Sequence, residues 1–144
     1  MKNKVVVINL LNRDVDTKQL NRLSLLSRKI LELLSLRNKR LEIYLISSQK
    51  MRFLNRKFRK KDKSTSILSF PHNPELPPVP FSRFKPLGEI YLSPRAFKQD
   101  ISYLLVHGIL HLLGYVHGQE MEQKEQQLMQ DLKKKAIINL KFKN

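Results

Sequence analysis

The sequence predicts a mixed fold in which a small β-sheet is packed by helices, and three observations carry that expectation. Four short runs rich in β-branched and aromatic residues are spread along the chain, at residues 5–10, 40–46, 66–70 and 87–92. Between and after them lie longer segments whose apolar residues recur at three- and four-residue steps, the period of a helix seated on a core. The chain has 144 residues, no internal repeat and no linker-like stretch, so one domain over residues 1–144 is expected.

Residues 5–10 (VVVINL) form a β-branched apolar run, which predicts a strand buried on both faces. Asp16 or Thr17 then caps a helix whose Leu20, Leu23, Leu26, Ile30, Leu33 and Leu34 make one apolar stripe. Residues 40–46 alternate and read as a second strand, and the serines at 47 and 48 are caps for a helix over 49–59. That helix carries Met51, Leu54, Asn55 and Phe58 at helical spacing. A third strand at 66–70 is stopped by Pro71. Residues 71–86 hold six of the seven prolines, which predicts a stiff, extended surface loop, long enough to act as a lid or binding flap. After the fourth strand, Ser93 and Pro94 have the form of a helix start, and a break near residues 99–100 lets Asp100 cap a central helix with Ile101, Leu104, Leu105, Ile109 and Leu112 toward the core. Residues 119–135 predict a surface-lying helix with Met121, Leu128 and Leu132 on one side. Residues 136–142 either continue it or pack back on the core.

The charge balance narrows the class of partner. Twenty-eight Lys and Arg against 12 Asp and Glu leave a formal net charge of +16, which predicts attraction to a polyanion, nucleic acid first and an anionic membrane surface second. No apolar run is long enough to span a bilayer, and the N-terminus leads into a strand-like run rather than a signal peptide, so no membrane partner is expected. The absence of cysteine excludes disulfides and thiolate ligands and agrees with a cytoplasmic location. Between residues 50 and 63 there are eight cations and one acid, Asp62. A solvated helix face would mix signs to form i,i+4 pairs, so this run reads as a phosphate-contacting surface.

Residues 107–117 (HGILHLLGYVH) contain three of the four histidines. His107 and His111 are four apart, so on a helix both imidazoles reach a common point. Gly114 can end the helix and let His117 return to it. Three imidazoles with one open position is the ligand count of a catalytic zinc site. The spacing follows the zinc-protease pattern H-E-x-x-H-x-x-G-x-x-H, except that Gly108 stands where that pattern has its general base, so a hydrolase is expected without the bond it cuts being specified. His72 either closes the site as a fourth ligand or lines the cleft.

Three blocks resemble the YbeY family of bacterial metal-dependent endoribonucleases, which act in rRNA maturation. Residues 54–71 (LNRKFRKKDKSTSILSFP) are similar to LN-x-x-[YF]-R-x-K-D-x-x-T-[DN]-V-L-S-F-P, residues 87–90 (LGEI) to LG[DE]I, and residues 107–117 to H-G-x-L-H-L-x-G-Y-D-H. The resemblance implies an α+β fold, with a four-stranded mixed sheet packed against several helices and a zincin-like central helix carrying the metal site. It implies one Zn²⁺ per chain, held by His107, His111 and His117 plus water, although another divalent transition metal suits the same ligands. It also implies that Arg59 faces the metal as a phosphate-binding or catalytic residue, and a salt bridge to Asp62 or Glu89 is the competing role. Lys57, Lys60, Lys61 and Lys63 are then expected to hold the RNA backbone, with Phe58 and Tyr115 as candidates for base stacking. The function so implied is cleavage of single-stranded rRNA in 16S rRNA maturation and small-subunit ribosome biogenesis. Two readings stand beside it: an RNA- or ribosome-binding assembly factor whose metal is structural and whose hydrolysis is weak or absent, and a zincin-type peptidase. The sequence departs from the family pattern at Val116, where the pattern has Asp, a residue able to orient a ligand imidazole.

Overall fold

The computed structural model describes residues 2–76 and 82–143, with side chains of the last helix described through Lys134. In chain order the elements are β1 (Lys4–Asn9), α1 (Thr17–Leu33), β2 (Lys39–Leu45), α2 (Ser48–Arg59), β3 (Ile67–Pro71), β4 (Lys85–Leu92), a 3-10 turn (Pro94–Lys98), α3 (Ile101–Leu112) and α4 (Gln119–Lys143). The fold is the expected α+β class with one four-stranded mixed sheet.

The sheet order is β1-β2-β4-β3. β1, β2 and β4 run parallel, with α1 crossing from β1 to β2 and with α2 and β3 lying between β2 and β4 along the chain, and β3 pairs antiparallel with β4. Alternation along the strands gives the sheet two different faces. Leu41, Ile43 and Leu45 of β2 and Ile90 and Leu92 of β4 enter the main core with residues of α1, α3 and α4. Their neighbours Tyr44, Tyr91, Leu68 and Phe70 point the other way and meet Met51 and Leu54 of α2. The helices therefore sandwich the β3 side of the sheet, α3 over one face and α2 over the other.

Three expectations are corrected. β1 is not buried on both faces: it is an edge strand whose Val5 and Val7 pack on the core while Val6 and Ile8 belong to no buried cluster. Ser93 does not cap an α-helix. Its hydroxyl donates to the Thr65 carbonyl at 2.8 Å, tying the β3 entry to the β4 exit, and the residues after it form only a 3-10 turn. The proline-rich segment is shorter than expected, since Pro71 ends β3 and Pro86 belongs to β4. Pro71 is tolerated because β3 is an edge strand, and Pro86 because the β2–β4 register slips beside it, between Arg40 and Leu41. The lid expected there falls largely on residues 77–81, which lie outside the described residues, as does the packing of side chains 136–142. Along the backbone those last residues continue α4.

Candidate metal centre

α3 begins where Asp100 accepts hydrogen bonds from the backbone N–H groups of Ser102 (3.1 Å) and Tyr103 (3.3 Å). It ends in a Schellman turn: Gly114 N–H donates to the His111 carbonyl at 3.0 Å and Tyr115 N–H to the Leu110 carbonyl at 3.1 Å. That turn needs a residue with positive φ, and Gly114 supplies it at +95°. The reversed chain then places the Tyr115 carbonyl against His111 Nδ1 at 3.0 Å and returns His117 to the two helix histidines.

The three imidazoles converge as the spacing predicts. One potential ligand atom from each lies within 4.8 Å of the others, so His107, His111 and His117 could hold a metal ion. His72 is not part of this group. Its backbone N–H donates to the Leu87 carbonyl at 3.2 Å, just past the end of β3.

The outer hydrogen bonds decide which nitrogen faces inward. The Tyr115 carbonyl can only accept, so His111 Nδ1 carries the hydrogen and Nε2 is left with its lone pair. The Glu125 carboxylate lies 2.6 Å from His107 Nδ1 and acts in the same way. The two Nε2 atoms then face each other at 3.0 Å. Two nitrogen lone pairs at that separation repel unless an electrophile lies between them, so the donor set fits a divalent cation. Burial, ahead of the neighbouring imidazoles, holds His111 below the usual histidine pKa and favours the unprotonated form that a ligand requires. His117 is exposed, and no hydrogen bond to its ring occurs among the described residues.

Glu125 is the site residue that sequence reasoning missed, and a signal for it existed. It lies between Met121 and Leu128 on the inward stripe of α4, all three buried, with Glu125 itself only 6% exposed. A carboxylate inside an apolar stripe needs a partner, and here the partner is His107, one of the three converging histidines. Tyr103, on α3 beside His107, feels the same group: burial first and then the Glu125 charge raise its phenol pKa.

Gly108 is explained by packing. A Cβ there would come within 2.8 Å of Ile67 Cδ1 and 3.0 Å of Ser69 Oγ. α3 therefore packs so closely on the sheet that a side chain at this position would have to displace the ends of the Ile67, Ser69 and Ile90 side chains.

A cleft of about 690 Å³ opens over the histidines between the C-terminal ends of α2 and α3. Its wall includes Arg59, Lys61, Lys63, Thr65, Ser69 and Tyr115 beside the three histidines, and no carboxylate among the described residues. Arg59 forms no salt bridge with Asp62 or Glu89. Its Nη2 donates to the Ser69 carbonyl at 2.9 Å, and its guanidinium lies 5.0 Å from the centroid of the Phe70 ring. Asp62 instead pairs with Arg52 at 2.8 Å and 3.0 Å, and Glu89 accepts from the Tyr91 hydroxyl at 2.6 Å. Buried Asn55 donates to the Lys63 carbonyl at 2.9 Å, folding the basic segment back so that Lys61 and Lys63 reach the cleft. Lys57 and Lys60 are exposed outside the cleft wall. Phe58 is exposed on α2, whereas Tyr115 is half-buried against the core. Val116, 77% exposed, forms part of the rim next to His117.

Residues 9–141 match the family model described as endoribonuclease YbeY. Among curated proteins carrying that same name, one from Sulfurihydrogenibium is 34% identical over 97% of this chain and 97% of its own length. One from Persephonella marina is 40% identical over 78% of each chain, and one from Aquifex aeolicus 38% identical over 68% of this chain and 71% of its own. A solution structure of a Thermotoga maritima protein superposes with a TM-score of 0.54 at 24% identity, covering 94% of this chain and 93% of that one, which supports the fold.

Proposed function

The chain belongs to the YbeY family of endoribonucleases, and from that footing we propose that it is a zinc-dependent, single-strand-specific endoribonuclease of 16S rRNA maturation and small-subunit ribosome biogenesis. In this reading residues 1–144 form one cytoplasmic domain whose substrate is single-stranded rRNA on the small ribosomal subunit. Among the described residues no helix is long and apolar enough to cross a membrane. The observation that supports the reading most is the shared cleft, which joins three converging imidazoles to Arg59, Lys61 and Lys63. A metal-ligand set and phosphate-binding cations around one volume are what hydrolysis of a phosphodiester asks for.

His107, His111 and His117 would hold the ion. Zinc suits three neutral imidazoles with an open position, and nickel or another divalent transition metal is compatible with the same donors. When bound, such an ion supplies Lewis acidity and brings the ionisation of water to near neutral pH. Glu125 and the Tyr115 carbonyl orient two of the imidazoles from outside. Arg59 spends one donor on Ser69 and rests on Phe70, so its fork is held in place with donors left for a phosphate, where it offsets charge developing during cleavage. Lys61 and Lys63 hold the flanking backbone in the cleft, and Lys57 and Lys60 hold it on the approach.

The reading is tested with a purified single-stranded rRNA fragment. Cleavage is expected, with loss on chelation, restoration by zinc, and loss in His111→Ala protein that still folds and binds RNA. Elemental analysis of protein purified without added metal identifies the ion. RNA binding without any metal-dependent cut would replace the nuclease with an assembly factor, a reading that the exposed His117 beside Val116, with no hydrogen bond to its ring among the described residues, would then favour.

A further inference from the structure

We propose that the outer face of α2 is a docking surface for single-stranded RNA, on which Phe53 and Phe58 stack against unpaired bases while the surrounding cations hold the phosphates. The proposal rests on the nuclease reading for the choice of RNA as the polyanion, and it extends the substrate path beyond the cleft.

α2 buries only Met51 and Asn55, yet it leaves two phenylalanines half in water, Phe53 at 51% and Phe58 at 50% exposure. The Lys57 ammonium stands over both rings, 5.9 Å from one centroid and 5.4 Å from the other. A cation set between two half-exposed aromatic rings matches the needs of a chain that presents base faces and phosphates together. The local charge is uncompensated: Asp62, the single acid between residues 50 and 63, is taken up by Arg52 at 2.8 Å and Arg56 at 3.8 Å. Among the described residues Lys57, Lys60, Lys61 and Lys63 have no acidic partner.

The surface is continuous with the cleft. Phe58 packs edge-on to Phe70 at 5.3 Å, and Phe70 carries the Arg59 guanidinium. A strand lying on α2 is thus led to the cleft by one unbroken row of aromatic and cationic groups. A duplex keeps its base faces hidden and would use only the cations. A second copy of a chain with net charge +16 would be repelled.

The test measures binding, by anisotropy, of a labelled oligouridylate of about twelve nucleotides and of a hairpin duplex, at fixed salt and with chelator present so that nothing is cut. The proteins compared are the full wild-type chain, Phe53→Ala, and Phe53→Ala with Phe58→Ala. Single-strand affinity is expected to fall about 5- to 100-fold per ring, while hairpin affinity stays within about twofold. Phe58 touches Phe70, so Phe53→Ala alone decides the matter if the double variant fails to fold. Unchanged single-strand binding, or equal loss for strand and hairpin, would overturn the proposal. So would retained RNA binding accompanied by loss of binding to phosphatidylglycerol–phosphatidylcholine vesicles. A separate cleavage assay with metal judges the enzyme: cutting with no binding defect in Phe53→Ala removes the docking surface alone, and a binding defect with no metal-dependent cutting removes the nuclease alone.

Discussion

Glu125 holds His107 in a single orientation because a buried carboxylate has no cheaper partner than the ring nitrogen 2.6 Å away. Replacing it separates orientation from ligation. Glu125→Gln keeps the size of the group and removes its charge, and Glu125→Ala removes the partner altogether. Metal affinity, read by competition with a chromophoric chelator, is expected to drop about 10- to 100-fold in the alanine variant and less in the glutamine variant. Unchanged affinity in both, with circular dichroism showing a folded chain, would leave Glu125 a packing role only. The same scale explains Val116. An acid there would stand next to His117, the candidate ligand whose ring has no hydrogen-bond partner among the described residues, and Val116 offers that imidazole no carboxylate.

The site depends on how α3 ends more than on how it begins. One turn stops the helix, aims the Tyr115 carbonyl at His111 and brings back His117, and all of it needs Gly114 at φ +95°. A Cβ at this position would touch nothing, so Gly114→Ala tests conformation without a clash. It is expected to cost about 1–2 kcal/mol in urea unfolding, the penalty of the left-handed region for a residue with a side chain, and to weaken metal binding as well. Loss of stability with full metal affinity would show that the turn relaxes without moving the histidines. On the opposite wall, α2 works through its last turn, where Arg59 holds the β3 backbone and Asn55 folds Lys63 inward.

At the scale of the molecule the governing quantity is charge. A net charge of +16 makes affinity for RNA salt-dependent whatever the sequence bound, with a slope of about −0.7 per phosphate contact on a single strand. If Lys61 and Lys63 each neutralise a phosphate in the cleft, Lys61→Ala and Lys63→Ala should each flatten a plot of log affinity against log salt by about 0.7. A reduced affinity with an unchanged slope would mean that these lysines act by some route other than phosphate contact.

The sequence by itself determined the order of elements and the metal-ligand candidates, because both are written in short range. Helical and strand periods are local, and His107, His111 and His117 fit within eleven residues, where one helix turn and one reversal bring them together. The tertiary structure alone decided the rest. The exposure of β1 depends on the sheet order, which its own residues do not encode. The tight fit around Gly108 depends on how close α3 lies to β3 and β4. The partner of His107 comes from a residue 18 positions away on another helix. These are distances between elements, set by the packing of one core, and no window of sequence contains them.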